Sequence, residues 1–169
     1  MQKVRIEKIT LNVGAGKDVA KLDKGVLLIK TITGIEPVKT ITSKRIPSWG
    51  LRPGLPIGAK LTLRKGPAVS VLKRLLEAKD NQLKEIQFDS AGNISFGIPE
   101  YIDIPGVAYN PDIGILGLEV CVTLEKPGFR IKRRRLERRK IPRKHTVSKN
   151  EALEFMKDCF GVKIVEEVA

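Results

Sequence analysis

The order in which two periodicities follow one another limits the folds open to this chain. The stretch "KVRIEKITLNV" alternates apolar and polar residues, with Val4 and Ile6 on one face and then Ile9, Leu11 and Val13. That two-residue repeat marks a half-buried strand, and the phase slip at Glu7-Lys8 predicts a bulge or kink. "DVAKLDKGVLLIKTITG" then spaces Val19, Leu22, Val26 and Ile29 as a helix does, with Asp18 as its cap and Gly34 as its stop. "PVKTITSK" and "GAKLTLRK" read as two further strands. Beyond Gly66, Pro67 suits a first helical turn, and Val69, Leu72, Leu75 and Leu76 form a stripe. "LKEIQFDSAGNISFGI" predicts a hairpin around "DSAGN", and "GLEVCVTLEK" a strand. "SKNEALEFMKDCFG" carries a capping box, Ser148 with Glu151, and a stop at Gly161. Strands and helices mix without strict βαβ alternation. The expectation is therefore an α+β, two-layer single domain over 1–169, a mostly antiparallel sheet with helices on one face.

Charge is segregated along this framework. The 169 residues carry a formal +13, from 32 Lys and Arg against 19 Asp and Glu. Residues 37–76 contain no acid and sum to +9; residues 126–149 hold twelve cations and only Glu137, summing to +11. The remainder is a mildly acidic globule of −7. Single charge runs are ordinarily solvated faces, but two long segments nearly free of acids repel themselves unless an outside anion neutralises them. Nucleic acid is the favoured partner. A membrane is disfavoured, since no run of about 18 apolar residues occurs and the N-terminus lacks a signal peptide's apolar block. Cys121 and Cys159 show no metal or redox spacing and fit reduced thiols of a cytoplasmic protein.

Period two sharpens the claim. If Leu11, Val13, Ala59, Leu61 and Leu63 face the helices, the opposite side carries Thr10, Asn12, Lys60, Thr62 and Arg64. The strand between them in sequence offers Thr40, Thr42 and Lys44 on one side. Hydroxyl, amide and cationic groups suit phosphate and ribose. Between strands, "SKRIPSWGLRPGLPIGAKLTLRKG" has no carboxylate, and prolines 47, 53 and 56 stiffen it. Trp49 there could stack on a base while Arg45 and Arg52 fork onto phosphate, although a lone Trp more commonly folds into a core.

Catalytic and cofactor motifs fail. "LNVGAGKD" has Leu11 and Asp18 where a phosphate-binding loop needs Gly and Ser or Thr, and Val19 where a dinucleotide fingerprint needs Gly. A turn at Gly14–Gly16 suffices, with amides still able to meet an RNA phosphate. His145 is the single histidine and reads as a polar surface group. No cofactor or metal is expected. Two readings stand: a structural RNA-binding protein, and an RNA-processing or RNA-modifying enzyme with a similar cationic face.

"RIEKITLNVGAGK", "TSKRIPSWGLRPGLPIGAKLTLR", "GNISFGI" and "GLEVCVTLEK" follow in the order of a known family. Over essentially its whole length, and through "RxGxPIGxKxTLR" from Arg52 to Arg64, the chain resembles the universal ribosomal protein five family of the large subunit in its archaeal and eukaryotic form. The resemblance implies an α+β protein that binds 5S rRNA and anchors it in the central protuberance. It implies further a loop at the elbow of peptidyl-site tRNA, a bridge to the small subunit, and neighbours among ribosomal proteins of both subunits. Carried onto this chain, Asn12, Gly14, Lys39, Thr40, Thr42 and Lys44 would lie near 5S rRNA, beside the outward Thr10, Lys60, Thr62 and Arg64. The loop with Arg45, Ser48, Trp49, Leu51, Arg52, Pro53 and Pro56 would face tRNA. The basic extension, about 128–147, would grip large-subunit rRNA through Arg130, Arg133, Arg134, Arg135, Arg138 and Arg139 and order on assembly. The bacterial form has an added N-terminal helical stretch and lacks "RIKRRRLERRKIPRK".

Overall fold

The computed structural model describes residues 3–165; residues 1–2 and 166–169, the ends of the expected 1–169 domain, lie outside the described residues. The opening strand β1 (Arg5–Gly14) is the centre of a five-stranded antiparallel sheet. Its neighbours are β3 (Pro56–Leu63) and β6 (Leu118–Glu125), with β2 (Val38–Ile41) outside β3 and β5 (Ile94–Ile98) outside β6. The α+β class expected from the sequence is thus observed. The chain divides into two compact units, residues 10–63 with 97–120, and Met1–Ile9 with Arg64–Phe96 and Cys121–Ala169.

In the first unit, helix α1 (Val19–Thr33) packs over β3. Asp18 caps it by accepting from the Lys21 amide at 3.2 Å, and Gly34 ends it at φ +72°. The buried stripe is Leu22, Gly25, Leu28, Ile29 and Ile32, whereas Val19 is exposed and Val26 half-buried. The expected stripe is therefore rotated. Gly25 is the reason: it has no side chain to register as apolar, yet it lets the helix approach β1 so closely that a Cβ there would lie 2.9 Å from Val13 Cγ1. Gly25→Val should accordingly cost about 1–3 kcal/mol through overpacking, read as a lower midpoint in denaturant titration.

In the second unit, α2 (Lys65–Glu77) buries Ala68, Val71, Leu72, Leu75 and Leu76, leaving Val69 at the margin. Helix α4 (Lys149–Phe160) has the capping box read from sequence: Ser148 N–H donates to Glu151 Oε2 at 2.9 Å, and Gly161 closes the helix at φ +64°. The expected hairpin shrinks to a single antiparallel bridge, Phe88 to Ile94, around a turn held by Asp89. Burial raises the Asp89 pKa, but hydrogen bonds from Asn93 and Ala91 outweigh it and hold the carboxyl below its ordinary range. The preceding strand β4 (Gln82–Lys84) pairs instead in parallel with β7 (Lys163–Val165), a strand too short for periodicity to reveal.

The phase slip expected at Glu7-Lys8 fits the partners of Glu7: it meets Arg64, in the outward row with Lys60 and Thr62, whereas Ile9, Leu11 and Val13, at the same parity beyond the slip, are buried. Glu7 is only 11% exposed and is paired with Arg64 and Arg133.

Candidate nucleic-acid interface

Burial follows the alternation read from the sequence. Leu11, Val13, Ala59, Leu61 and Leu63 are buried, Thr10 and Asn12 are half-buried, and Lys60, Thr62 and Arg64 are exposed. Gly58 lets β3 close on its neighbours, since a Cβ there would meet Val13 O at 2.7 Å and Thr40 Oγ1 at 3.0 Å. Thr40 lies opposite Gly58 and Val38 opposite Lys60, so these four share one face. Lys39 lies opposite buried Ala59, and its Nζ meets Asp23 of α1 at 2.9 Å. It therefore stands on the other side of the strand from Thr40 and Lys60.

The register shifts between Thr40 and Ile41, which breaks the expected alternation of Thr40 and Thr42. Ile41 is turned out and Thr42 is buried. The Thr42 hydroxyl donates to Lys44 O at 3.0 Å and accepts from Lys44 N–H at 3.3 Å, so it holds the loop's entry instead of facing a ligand. Nor is the polar face wholly free of acid: Asn12 Nδ2 donates across to Glu119 Oε2 at 3.4 Å.

The loop is a built extension of the β2–β3 hairpin. Thr42 N–H donates to Leu55 O at 3.0 Å, Gly54 N–H to Thr42 O at 2.9 Å, and Ile46 and Leu51 exchange two backbone bonds of 3.0 Å. Pro47–Trp49 forms a 3-10 turn closed by Gly50 at φ +68°. Leu51 is buried and anchors the tip from inside, which separates it from its expected loop companions. Arg45, Ser48, Arg52 and Pro53 are exposed, Pro56 is half-buried, and Trp49 is 68% exposed. Trp49→Ala should thus change thermal stability by less than about 0.5 kcal/mol, as surface substitutions do; a larger loss in a melting experiment would mean that the ring packs inward.

The turn after β1 offers less than its sequence suggests. Ala15 and Gly16 N–H both donate to Ile57 O, at 2.9 and 3.1 Å, so those amides are already committed. Gly14 itself is exposed.

The basic extension is anchored, not free. It contains α3 (Arg130–Arg133) and a 3-10 turn at Arg143–His145. The Arg133 guanidinium reaches Glu7 at 2.8 Å and Glu125 at 2.5 Å. Arg5 meets Glu125 at 2.8 Å and Arg64 meets Glu7 at 3.1 Å. Three guanidiniums thus surround two nearly buried carboxylates, an arrangement that makes burial of the acids tolerable. It also compensates much of the charge of Arg64 and Arg133. Arg134 turns onto Glu137 O at 2.8 Å, and Arg138 Nε donates to Lys132 O at 2.7 Å. Arg130, Arg135 and Arg139 have no carboxylate partner among the described residues.

Two long-range contacts that spacing could not reveal close the segment. His145 Nε2 lies 2.8 Å from Pro127 O, the ring N–H donating, and the ring sits 6.0 Å from that of Phe129. The single histidine is thus a clasp and not a free surface group. Lys126, 5% exposed, places its Nζ 2.7 Å from Glu151 Oε1 and donates to Thr146 O. The hydrogen bond from Lys126, followed by that from the Ser148 amide, lowers the Glu151 pKa below its ordinary 4.5. Among the described residues no cluster of three His, Cys, Asp or Glu could hold a metal, and no helix is long and apolar enough to cross a membrane.

Comparison with known proteins gives this geometry a family. Residues 56–155 match the model for the C-terminus of the ribosomal protein L5 family, and residues 1–52 match the model named Ribosomal protein L5. Large ribosomal subunit protein uL5 of Nanoarchaeum equitans (strain Kin4-M) is 48% identical over 166 residues, covering 98% of each chain. The protein of the same name from Sulfurisphaera tokodaii is 47% identical, covering 98% of this chain and 94% of its own. That from Methanobrevibacter smithii is 45% identical, covering 99% and 98%. With both family models and near-full-length relatives in agreement, this chain belongs to the ribosomal protein L5 family of the large ribosomal subunit.

Proposed function

We propose that this chain binds 5S rRNA and helps hold it in the central protuberance of the large subunit, while its β2–β3 loop reaches peptidyl-site tRNA. As a member of a ribosomal-protein family it is a component of a ribonucleoprotein with rRNA and other ribosomal proteins, not an enzyme. The observation that carries the reading is the face shared by Thr40, Lys60 and Thr62 with half-buried Thr10 and Asn12, next to Lys44 at the loop's entry. Hydroxyls, an amide and uncompensated ammonium groups fit a sugar-phosphate backbone. The tRNA part rests on Trp49, Arg45 and Arg52, all exposed on a loop whose backbone is already hydrogen-bonded, so little order is lost on docking.

The loop between β5 and β6, residues 99–117, supports a bridge to the small subunit. It contains three acids, Glu100, Asp103 and Asp112, and no Lys or Arg. Within it Tyr101 is buried, its hydroxyl accepting from Asn110 N–H at 2.8 Å, while Tyr109 and Ile115 are exposed. An acidic, apolar loop repels RNA and suits a cationic ribosomal protein. The whole chain would act as one RNA-binding domain, the basic extension included, in cytoplasmic ribosomes.

Titration with 5S rRNA tests the main reading. A one-to-one complex with chemically unaltered RNA is expected. Trp49→Ala should leave that affinity within about twofold and reduce function of ribosomes with tRNA bound; loss of 5S rRNA binding in this variant would contradict the division of labour.

A further inference from the structure

The second unit contains a cavity of about 600 Å³ between β1, the 89–93 turn, β6 and the basic extension. A second one of about 620 Å³ shares Phe129, Lys132, Arg138 and Thr146 with it, so the two adjoin along these side chains and line one cleft region. Its chemistry is graded. Leu124 and Val147 are buried and give an apolar floor. Phe129, half-buried, supplies a ring. Asn93 is fixed there because its amide nitrogen donates to Asp89 Oδ2 at 2.7 Å, which leaves its carbonyl oxygen for another donor. The Thr123 hydroxyl has no partner among the described residues. At the rim stand Lys8, Lys132 and Arg138, none with a carboxylate partner among the described residues. The one acid lining the cavity, Glu7, is already paired with Arg64 and Arg133.

We infer that this cleft takes one unstacked nucleotide of ribosomal RNA, its base against Phe129 and the apolar floor and its phosphates at Lys8, Lys132 and Arg138. The inference rests on the proposed RNA-binding function but concerns a site apart from the polar sheet face and the Trp49 loop. Three properties select a nucleotide over a bare anion. A phosphate would need only the cations, and leave the apolar floor and ring idle. Each cavity falls within the roughly 300–1,000 Å³ of sites that enclose a small organic ligand. Single-stranded RNA presents bases that stack on aromatic rings and bond along their edges, which matches Phe129 beside Asn93 and Thr123. The second cavity, lined further by Arg139 and Lys140, gives the adjoining backbone a cationic exit. The ion pairs of Arg133 and the His145 clasp then acquire a purpose: they hold the extension over the cleft before RNA arrives.

Ultraviolet crosslinking of large subunits containing this protein, followed by peptide mass mapping, tests the inference. Nucleotide adducts are expected on the peptides carrying Phe129–Lys132 or Ala91–Asn93. Ala91 is exposed in the turn at the cavity's edge. Ala91→Trp should fill the space without altering charge and lower the yield of those adducts at least fivefold, leaving adducts around Trp49 unchanged. Lys132→Glu, on an exposed side chain, should do the same should the first variant not assemble. Adducts around Trp49 but none at the cleft would overturn the nucleotide site and spare the general function. Adducts on no part of the protein would overturn both. Cleft adducts undiminished in both variants would mean that RNA lies across the outside of the extension, which also overturns the site.

Discussion

Raising monovalent salt threefold should lower the affinity of this protein for 5S rRNA by roughly ten- to twentyfold. Each phosphate neutralised by Lys or Arg releases condensed counterions, giving a log–log slope of about 0.7–0.9 per contact, so about three contacts give a slope of about 2.1–2.7. The cations on the proposed face are Lys44, Lys60 and Arg64; Lys39, also assigned to it by sequence, stands on the helix side of β2 against Asp23. Arg64 is partly compensated by Glu7, a nearly buried carboxylate, and yields less readily to phosphate. Lys44→Glu with Lys60→Glu should therefore reduce the slope by about two, while Arg64→Ala should reduce it by less than one. A flat dependence on salt, measured by fluorescence titration, would remove the electrostatic basis of the interface.

Glu151→Ala should destabilise the fold by about 2 kcal/mol. Removing one member of a fully buried ion pair costs about 3–5 kcal/mol, and water around the partly exposed Glu151 reduces that figure. The loss corresponds to a melting temperature lower by roughly 4–8 °C for a chain of this size. Two functions are lost together. Glu151 closes the capping box of α4 through the Ser148 amide, and it neutralises Lys126, whose side chain is nearly buried. Glu151→Gln keeps a side chain able to cap and should recover part of the loss. The pH dependence has a definite sign. The folded pKa of Glu151 is lowered, so its contribution is complete above the ordinary value of 4.5 and is lost as pH falls through the folded pKa. The stability gap between wild type and Glu151→Ala should hold constant near neutrality and close on acidification. A gap that persisted in acid would show that packing, not charge, explains the loss.

Features encoded by residues close in sequence were legible from the chain alone. Asp18 and Gly34 bound α1, the Ser148–Glu151 box opens α4, and the prolines and glycines around Trp49 keep it on an exposed loop. What escaped depends on partners far along the chain. The register shift that turns Thr42 inward is set by pairing with β3, and no local alternation carries it. Gly25 hides the true α1 stripe because a contact made by the absence of a side chain has no hydropathy signal. Net charge per segment counted Arg64 and Arg133 as free cations, whereas Glu7 and Glu125, distant in sequence, compensate them. The acid within the first strand, at the phase slip of Glu7-Lys8, was the available sign that a nearly buried carboxylate there needed arginine.

The central claim is that the outward side of β1 and β3, with the loop's entry, lies against an RNA backbone. Affinity for 5S rRNA decides it when Lys44→Glu/Lys60→Glu is compared with a control of equal charge change on α4, Lys157→Glu together with Lys149→Glu. The account predicts a loss of at least tenfold for the first pair and less than threefold for the second. Equal losses would show that total charge alone governs binding and that no particular face of the protein meets the RNA.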